Sequence, residues 1–109
     1  MNPEGKIGTA KSPLSTVLAQ VNPTVGDLAG NAHLIRDAVG SALKAMPVDL
    51  ILFGEMTLTG YPIEDLALRA DFQEESMLAI ANLARDLAAD GSGEPHVIVG
   101  YLDLGPTGP

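Results

Sequence analysis

The chain has 109 residues, a hydrophobic content of 46% and a formal net charge of -8 at pH 7, a composition typical of one small globular domain. Its six Lys and Arg residues are scattered, which argues against a nucleic-acid partner, because phosphate contacts need clustered positive charge. The chain has no cysteine, which excludes disulfides and Cys-ligated zinc and fits a cytoplasmic location. No run approaches the roughly 18 apolar residues that a membrane span needs, so we expect no membrane partner, and two histidines predict no metal site.

The first half of the chain predicts a strand, a helix and a second strand. Residues 1–13 hold two prolines and two glycines without a periodic pattern, so they are predicted to be a flexible lead-in. The short β-branched run 15–21 predicts a buried strand, and a helix is predicted from Asp27, its N-cap, to Met46. The continuous apolar run 50–53 predicts a strand covered on both faces. The predicted inward face of the helix comprises Leu34, Ile35, Ala38, Val39, Ala42, Leu43 and Met46.

The second half predicts a loop, two helical segments and a third strand. Residues 54–62 are rich in turn formers and predict the loop, and 63–69 predict a short helical turn that begins with acidic residues. Asp71 is predicted to cap a long helix that residues 90–93 close, and 96–102 predict the third strand. The predicted inward face of the long helix comprises Phe72, Met77, Ile80, Ala81, Ala84, Leu87 and Ala88.

The order of these elements is β-α-β-α-β with short connections. This order predicts an α/β fold with parallel strands and right-handed crossovers. We expect one partial domain over residues 14–104 and an unstructured tail over 105–109. A sheet of three strands is expected to leave at least one edge open, which is a liability unless a partner or further chain covers it.

Glu55 is the residue best placed for chemistry on physical grounds alone. It follows the predicted strand 50–53 after a single glycine, at the carboxyl end of the sheet, where open α/β folds place their sites. Partial burial at that point would suit its carboxyl group to general-base catalysis. The alternatives are a solvated loop carboxylate, which is what most such residues are, and a helix-capping contact.

Three motifs in the chain resemble one enzyme family. Residues 19–31 read Ala-Gln-Val-Asn-Pro-Thr-Val-Gly-Asp-Leu-Ala-Gly-Asn, residues 58–66 read Leu-Thr-Gly-Tyr-Pro-Ile-Glu-Asp-Leu, and residues 97–101 read Val-Ile-Val-Gly-Tyr. The strand and loop around Glu55 resemble those that carry the catalytic glutamate of the carbon–nitrogen hydrolase (nitrilase-like) superfamily. The three motifs in this order are similar to the glutamine-hydrolysing domain of glutamine-dependent NAD+ synthetases.

The resemblance implies a fold, a reaction and two site residues. The fold is an incomplete portion of a four-layer αββα sandwich. In the reaction, a Cys thiolate attacks the side-chain amide of glutamine, a Glu carries protons and a Lys stabilises the charged intermediate. Glu55 matches the catalytic glutamate. Tyr61 lies in the same loop and is a candidate to bind the substrate glutamine, an ordinary packed loop aromatic being the alternative.

The resemblance also implies partners outside this chain. The ammonia would pass to a separate ATP-dependent synthetase domain, which adenylates and aminates deamido-NAD+. ATP, Mg²⁺ and deamido-NAD+ are therefore expected on that domain, and no cofactor is expected on this chain. The remainder of the glutaminase domain and the synthetase domain are the expected protein partners, in a full enzyme that is a homo-oligomer.

The chain departs from the family pattern at the other catalytic positions. It has no cysteine, its three lysines precede Glu55 whereas the family's lysine follows the glutamate, and Gly54 stands where the family usually has proline. We therefore expect the N-terminal part of a glutaminase domain that is inactive alone. The alternatives are a fragment of another carbon–nitrogen hydrolase, such as an amidase, and a non-catalytic association module.

Overall fold

The computed structural model describes residues 14–91 and 95–103. The predicted lead-in 1–13 and tail 105–109 lie outside these residues, and the predicted domain limits of 14 and 104 stay a prediction. The predicted order β-α-β-α-β is confirmed. The elements are strand β1 (Thr16–Ala19), helix α1 (Leu28–Ala45), strand β2 (Leu50–Phe53), a 3-10 helix (Glu64–Leu68), helix α2 (Ala70–Ala89) and strand β3 (His96–Ile98).

The three strands form a parallel sheet in the order β1-β2-β3. Side chains alternate between its faces, and Ile51 and Phe53 on β2 are buried in the core formed with both helices. On the opposite face, Leu18 is 72% exposed and Ile98 is 53% exposed, with the half-buried Leu52 between them in register. The predicted cover on both faces of β2 is thus found on one face only within the described part of the chain.

Helix α1 begins as predicted. The Asp27 side chain accepts a hydrogen bond from the Gly30 backbone N–H at 3.0 Å, which is the N-cap contact. Ile35 and Val39 on the predicted inward face are fully buried. Met46 does not belong to that face, because the helix ends at Ala45 and the Met46 side chain is 49% exposed.

Helix α2 begins two residues earlier than predicted. Arg69 occupies the N-cap position without a side-chain cap, and Asp71 lies inside the first turn, where it pairs with Arg69 at 2.8 Å. The cause is the preceding 3-10 helix: the Arg69 N–H donates to the Leu66 carbonyl, so one helical segment runs into the next without a separate cap. Gly91, with φ of +80°, closes α2 as predicted, and residues 92–93 of the predicted closing turn lie outside the described residues.

The predicted inward face of α2 is confirmed at Phe72 and Leu87 and is wrong at four other positions. Ala81, Ala84 and Ala88 are exposed, and Met77 is 38% exposed. Alanine is favoured in helices by its backbone propensity and so gives no reliable signal of burial. The buried positions are Phe72, Gln73, Ser76, Leu83 and Leu87.

Strands β1 and β3 are shorter than the predicted runs 15–21 and 96–102. The chain leaves the ladder after Ile98, and the Leu102 N–H instead donates to Oγ of the buried Ser76 on α2 at 3.0 Å. This contact ties the segment after β3 to the helix layer. Across residues 14–91 and 95–103, no helix combines the length and apolarity needed to cross a bilayer.

Candidate active site

Glu55 lies where the sequence predicts it, at the carboxyl end of the central strand. Gly54 alone separates it from the last residue of β2, and β2 pairs with a parallel neighbour on each side. The partial burial that would suit a general base is absent from the described part of the chain, because the Glu55 side chain is exposed there. The described chain therefore leaves the Glu55 carboxylate open to solvent and to an approaching group.

The structure brings Glu55 and Tyr61 together. Both line an open depression of about 290 Å³. Tyr61 is 75% exposed, so within the described part of the chain its ring is open to an approaching group. A second depression, of about 170 Å³, borders Glu55 and includes Tyr101 from the segment after β3. The other residues lining the first depression are Pro23, Gly54, Met56 and Thr57.

The loop that carries Glu55 is folded on itself. The backbone N–H and the Oγ1 hydroxyl of Thr57 both donate to the Gly54 carbonyl, at 3.2 and 2.9 Å, and the Gly60 N–H donates to the Met56 carbonyl at 2.7 Å. Residues 57–60 are buried, whereas Glu55 and Tyr61 on either side of them are exposed. The buried stretch thus fixes the two exposed candidate residues to the body of the fold.

On the β1 side, this loop packs against the turn that precedes α1. The Gly26 N–H donates to the Thr59 carbonyl at 2.8 Å. Gly60 has φ of +84°, and a Cβ built on it would lie 2.4 Å from the Val25 Cα. Only glycine fits that backbone conformation and that approach.

The buried amide of Asn31 makes three further contacts at this junction. Its Oδ1 accepts from the Thr24 N–H, and its Nδ2 donates to the carbonyls of Thr24 and Leu58, each at 2.8 Å. The turn and the loop are therefore joined by side-chain as well as backbone hydrogen bonds.

On the β3 side, the backbone of Glu55 itself meets Gly100. A Cβ built on Gly100 would lie 2.3 Å from the Glu55 carbonyl oxygen. The Glu55 backbone therefore sits against Gly100 at a distance that only a residue without a side chain permits.

Gly54, which stands at the family's usual proline position, is not required by its backbone conformation. Its φ lies outside the left-handed range, and an added Cβ would meet only the Thr57 Oγ1, at 3.3 Å. The departure from the family pattern at this position therefore has no structural cause among the described contacts.

An ion pair joins the two helices away from Glu55. Arg36 of α1 binds Asp90, at the end of α2, through two hydrogen bonds of 2.9 and 2.7 Å. The Arg36 guanidinium holds the pKa of the Asp90 carboxyl below its usual value. Arg36 and His33 also line a depression of about 570 Å³ between α1 and α2, which does not include Glu55. Within the described ranges, no group of three or more His, Asp or Glu side chains could hold a metal ion.

Comparison with known proteins gives the family. Residues 16–103 match the carbon–nitrogen hydrolase family. The chain belongs to the carbon–nitrogen hydrolase family. The matched range spans every element from β1 to β3 and includes both Glu55 and Tyr61.

Relatives within the carbon–nitrogen hydrolase family carry the name that the three motifs indicate. The chain is similar to the "Glutamine-dependent NAD(+) synthetase" of Rhodobacter capsulatus, at 45% identity over 83 residues, which are 73% of this chain and 15% of that protein. It is also similar to the protein of the same name from Thermotoga maritima, at 37% identity over 90 residues, which are 83% of this chain and 15% of that protein. The chain thus spans about one seventh of each relative's length.

A solved structure of a protein with the same name also resembles this chain. The chain superposes with a TM-score of 0.61 on the crystal structure of a glutamine-dependent NAD(+) synthetase from Cytophaga hutchinsonii, at 32% sequence identity. The likeness covers 67% of this chain and 12% of that one. The predicted α/β class, as a portion of a nitrilase-like fold, is confirmed. The roles of Glu55 and Tyr61 stay predictions, because none of these likenesses assigns roles to residues.

Sequence reasoning missed the residues that hold the loop in place. Asn31 carried a signal, since it lies three residues after Leu28 and four before Ile35, in the apolar stripe of α1. A polar side chain in such a stripe is buried and must find hydrogen-bond partners. Gly100 carried a weaker signal, because a glycine at the end of a strand is also common where nothing approaches it.

Proposed function

We propose that this chain supplies the general base of a glutamine-hydrolysing site, as the N-terminal part of the glutaminase domain of a glutamine-dependent NAD+ synthetase. The observation that carries the proposal is the position of Glu55 at the carboxyl end of the central strand, beside Tyr61 at one depression. The names of the relatives support the choice of substrate.

In the proposed reaction, the Glu55 carboxylate takes the proton from a cysteine thiol that lies outside this chain. The thiolate attacks the side-chain amide carbon of glutamine, and a lysine, also from outside the chain, stabilises the charged intermediate. Glu55 returns the proton to the amide nitrogen, which leaves as ammonia. Glu55 then removes a proton from the water that attacks the thioester carbonyl, and it returns this proton to the cysteine sulfur as the C–S bond breaks and glutamate is released. Tyr61, exposed beside Glu55, contacts the glutamine.

The ammonia is consumed, on this proposal, by a separate synthetase domain that aminates deamido-NAD+. We assign ATP and Mg²⁺ to that domain. We also propose that the full enzyme is a homo-oligomer and that it is cytoplasmic. The lack of cysteine in the chain supports the cytoplasmic location.

A non-catalytic association module is the second candidate. The sheet face away from the helices favours it: the exposed Leu18 and Ile98 flank the half-buried Leu52 in one row, and such an apolar row suits contact with another protein surface. This candidate requires no role for the Glu55 carboxylate, and the experiment below separates the two.

The test is a chimera in which residues 16–103 replace the matching segment of the Rhodobacter capsulatus synthetase. NAD+ formation is measured with glutamine and, separately, with ammonium as the nitrogen donor. We expect Glu55→Gln to lower glutamine-dependent formation by about 10²–10⁴-fold, the usual loss on removing a general base, and to leave ammonium-dependent formation unchanged.

The matched control is Glu74→Gln, which makes the same change at an exposed position on α2. It is expected to leave both rates unchanged. Equal losses with both donors in Glu55→Gln would show that Glu55 is structural, and no loss with either donor would favour the association module.

A further inference from the structure

Asn31 is a buried polar residue whose hydrogen bonds meet at the Glu55 loop. It is 1% exposed, on the buried face of α1. Its side-chain amide makes three hydrogen bonds of 2.8 Å. The assignment of its oxygen and nitrogen is unambiguous, because a flipped amide would place its oxygen against the carbonyls of Thr24 and Leu58. Both of its N–H donors are therefore used.

These bonds connect two segments that are distant in sequence. Thr24 lies in the turn before α1, and Leu58 lies 27 residues beyond Asn31, in the loop after β2. A further hydrogen bond, from the Gly26 N–H to the Thr59 carbonyl at 2.8 Å, joins the same turn and loop. Asn31 thus ties the carboxyl ends of β1 and β2 together through a rigid helix.

The hydrogen bonds of Asn31 end close to Glu55 along the chain. Leu58 lies three residues from Glu55, and between them the Thr57 N–H and hydroxyl both bind the Gly54 carbonyl. Because Thr57 and Leu58 are buried and Thr57 is bonded to the Gly54 carbonyl on the other side of Glu55, moving the Leu58 carbonyl moves the Glu55 backbone with it.

We propose that Asn31 is a positioning residue for Glu55, which sets the place of its carboxylate by anchoring the loop 54–60 to α1. The inference rests on the proposed function for its effect on catalysis. Its structural part, the anchoring of the loop, stands on the hydrogen bonds alone.

The test uses the chimera described above with Asn31→Leu, which keeps a similar size and removes all three hydrogen bonds. We expect kcat with glutamine to fall about 10²-fold, the cost of a misplacement of about 1 Å, with the KM for glutamine and the ammonium-dependent rate nearly unchanged. Hydrogen exchange measured by mass spectrometry is expected to speed up in peptides covering 54–60.

Val39→Ala is the control, since Val39 is fully buried in the same helix and its side chain has no group that could hydrogen-bond to the loop. It is expected to weaken the fold as a whole, without changing the ratio of glutamine- to ammonium-dependent rates or selectively exposing 54–60. If Asn31→Leu is insoluble, Asn31→Ser takes its place, because its hydroxyl is too short to reach both Thr24 and Leu58.

The outcomes separate this inference from the proposed function. A selective loss with glutamine together with faster exchange at 54–60 supports it. A pattern like that of Val39→Ala, or no change, overturns it. If Glu55→Gln leaves glutamine use intact, the proposed function fails. Exchange at 54–60 then decides the inference alone: faster exchange supports the anchor, and unchanged exchange overturns it.

Discussion

Replacing Gly100 with alanine is expected to displace Glu55 without changing any charged or polar group. Gly100 lies after β3, and its Cα faces the backbone of Glu55 after β2. The new Cβ would lie 2.3 Å from the Glu55 carbonyl oxygen and 3.2 Å from its carbonyl carbon. Both atoms belong to the backbone, so no side-chain rotation can relieve the contact.

The size of the effect follows from these distances. Real Cβ contacts essentially never fall below 3.0 Å, so Gly100 and Glu55 must separate by at least 0.7 Å, the difference between 3.0 and 2.3 Å. Overpacking of this kind costs about 1–3 kcal/mol of folding free energy. Since a misplacement of about 1 Å can cost 10²-fold in rate, we expect a glutamine-dependent rate lower by about 10–10²-fold.

The assay compares Gly100→Ala with Gly40→Ala in the chimera, measuring NAD+ formation with each nitrogen donor and the thermal midpoint. Gly40 lies inside α1 with no atom within 4 Å of an added Cβ, so alanine there is expected to stabilise the helix by about 0.5–1 kcal/mol and to leave both rates unchanged. A Gly100→Ala variant with normal glutamine use and an unchanged midpoint would refute the reasoning.

Three further predictions concern the 109-residue chain itself. Incubated with glutamine, it is expected to release no ammonia above the rate without enzyme, because it has no thiol to form a thioester; turnover that disappears in Glu55→Ala would contradict this. The chain is expected to be marginally stable and prone to association, with broad thermal unfolding, because its sheet is covered on one face only within the described residues; a sharp transition in a confirmed monomer would contradict this. The pKa of the Asp90 carboxyl is lowered by its hydrogen bonds with Arg36. The pair therefore stabilises the folded state at pH values above 3.8, the ordinary pKa of the carboxyl. This stabilisation is lost as the pH falls through the lower pKa of the folded state. Arg36→Gln should therefore lower the thermal midpoint of the helix signal at pH 7 and no longer do so near pH 2; an equal difference at both pH values would contradict this.

Local chemistry made parts of the fold predictable from the sequence. Strand β2 begins and ends at the predicted residues, since its apolar run lies between Asp49 and Gly54, which both disfavour strand. Asp27 caps α1 through its own side chain, three residues from its partner, so the contact is encoded locally. The position of Glu55 followed from the same logic, because the residue after a parallel strand must lie at the carboxyl edge of the sheet.

The remaining features depend on contacts between distant parts of the chain. The buried face of α2 was predicted correctly at Phe72 and Leu87 and wrongly at its alanines, because alanines satisfy a helical pattern on every side and only packing against the sheet selects one. The roles of Asn31 and Gly100 depend on partners 27 and 45 positions away, at Leu58 and Glu55. Neither hydropathy nor spacing identifies such partners from one sequence.

The central claim is that the Glu55 carboxylate carries the proton in glutamine hydrolysis. The most direct measurement is glutamate release from glutamine by the purified chimera without ATP or deamido-NAD+, which isolates the hydrolysis from the synthetase reaction. The account predicts that Glu55→Gln releases glutamate about 10²–10⁴-fold more slowly than the unsubstituted chimera, while Glu74→Gln releases it at the unsubstituted rate. Glutamate release by Glu55→Gln at the unsubstituted rate would contradict the account.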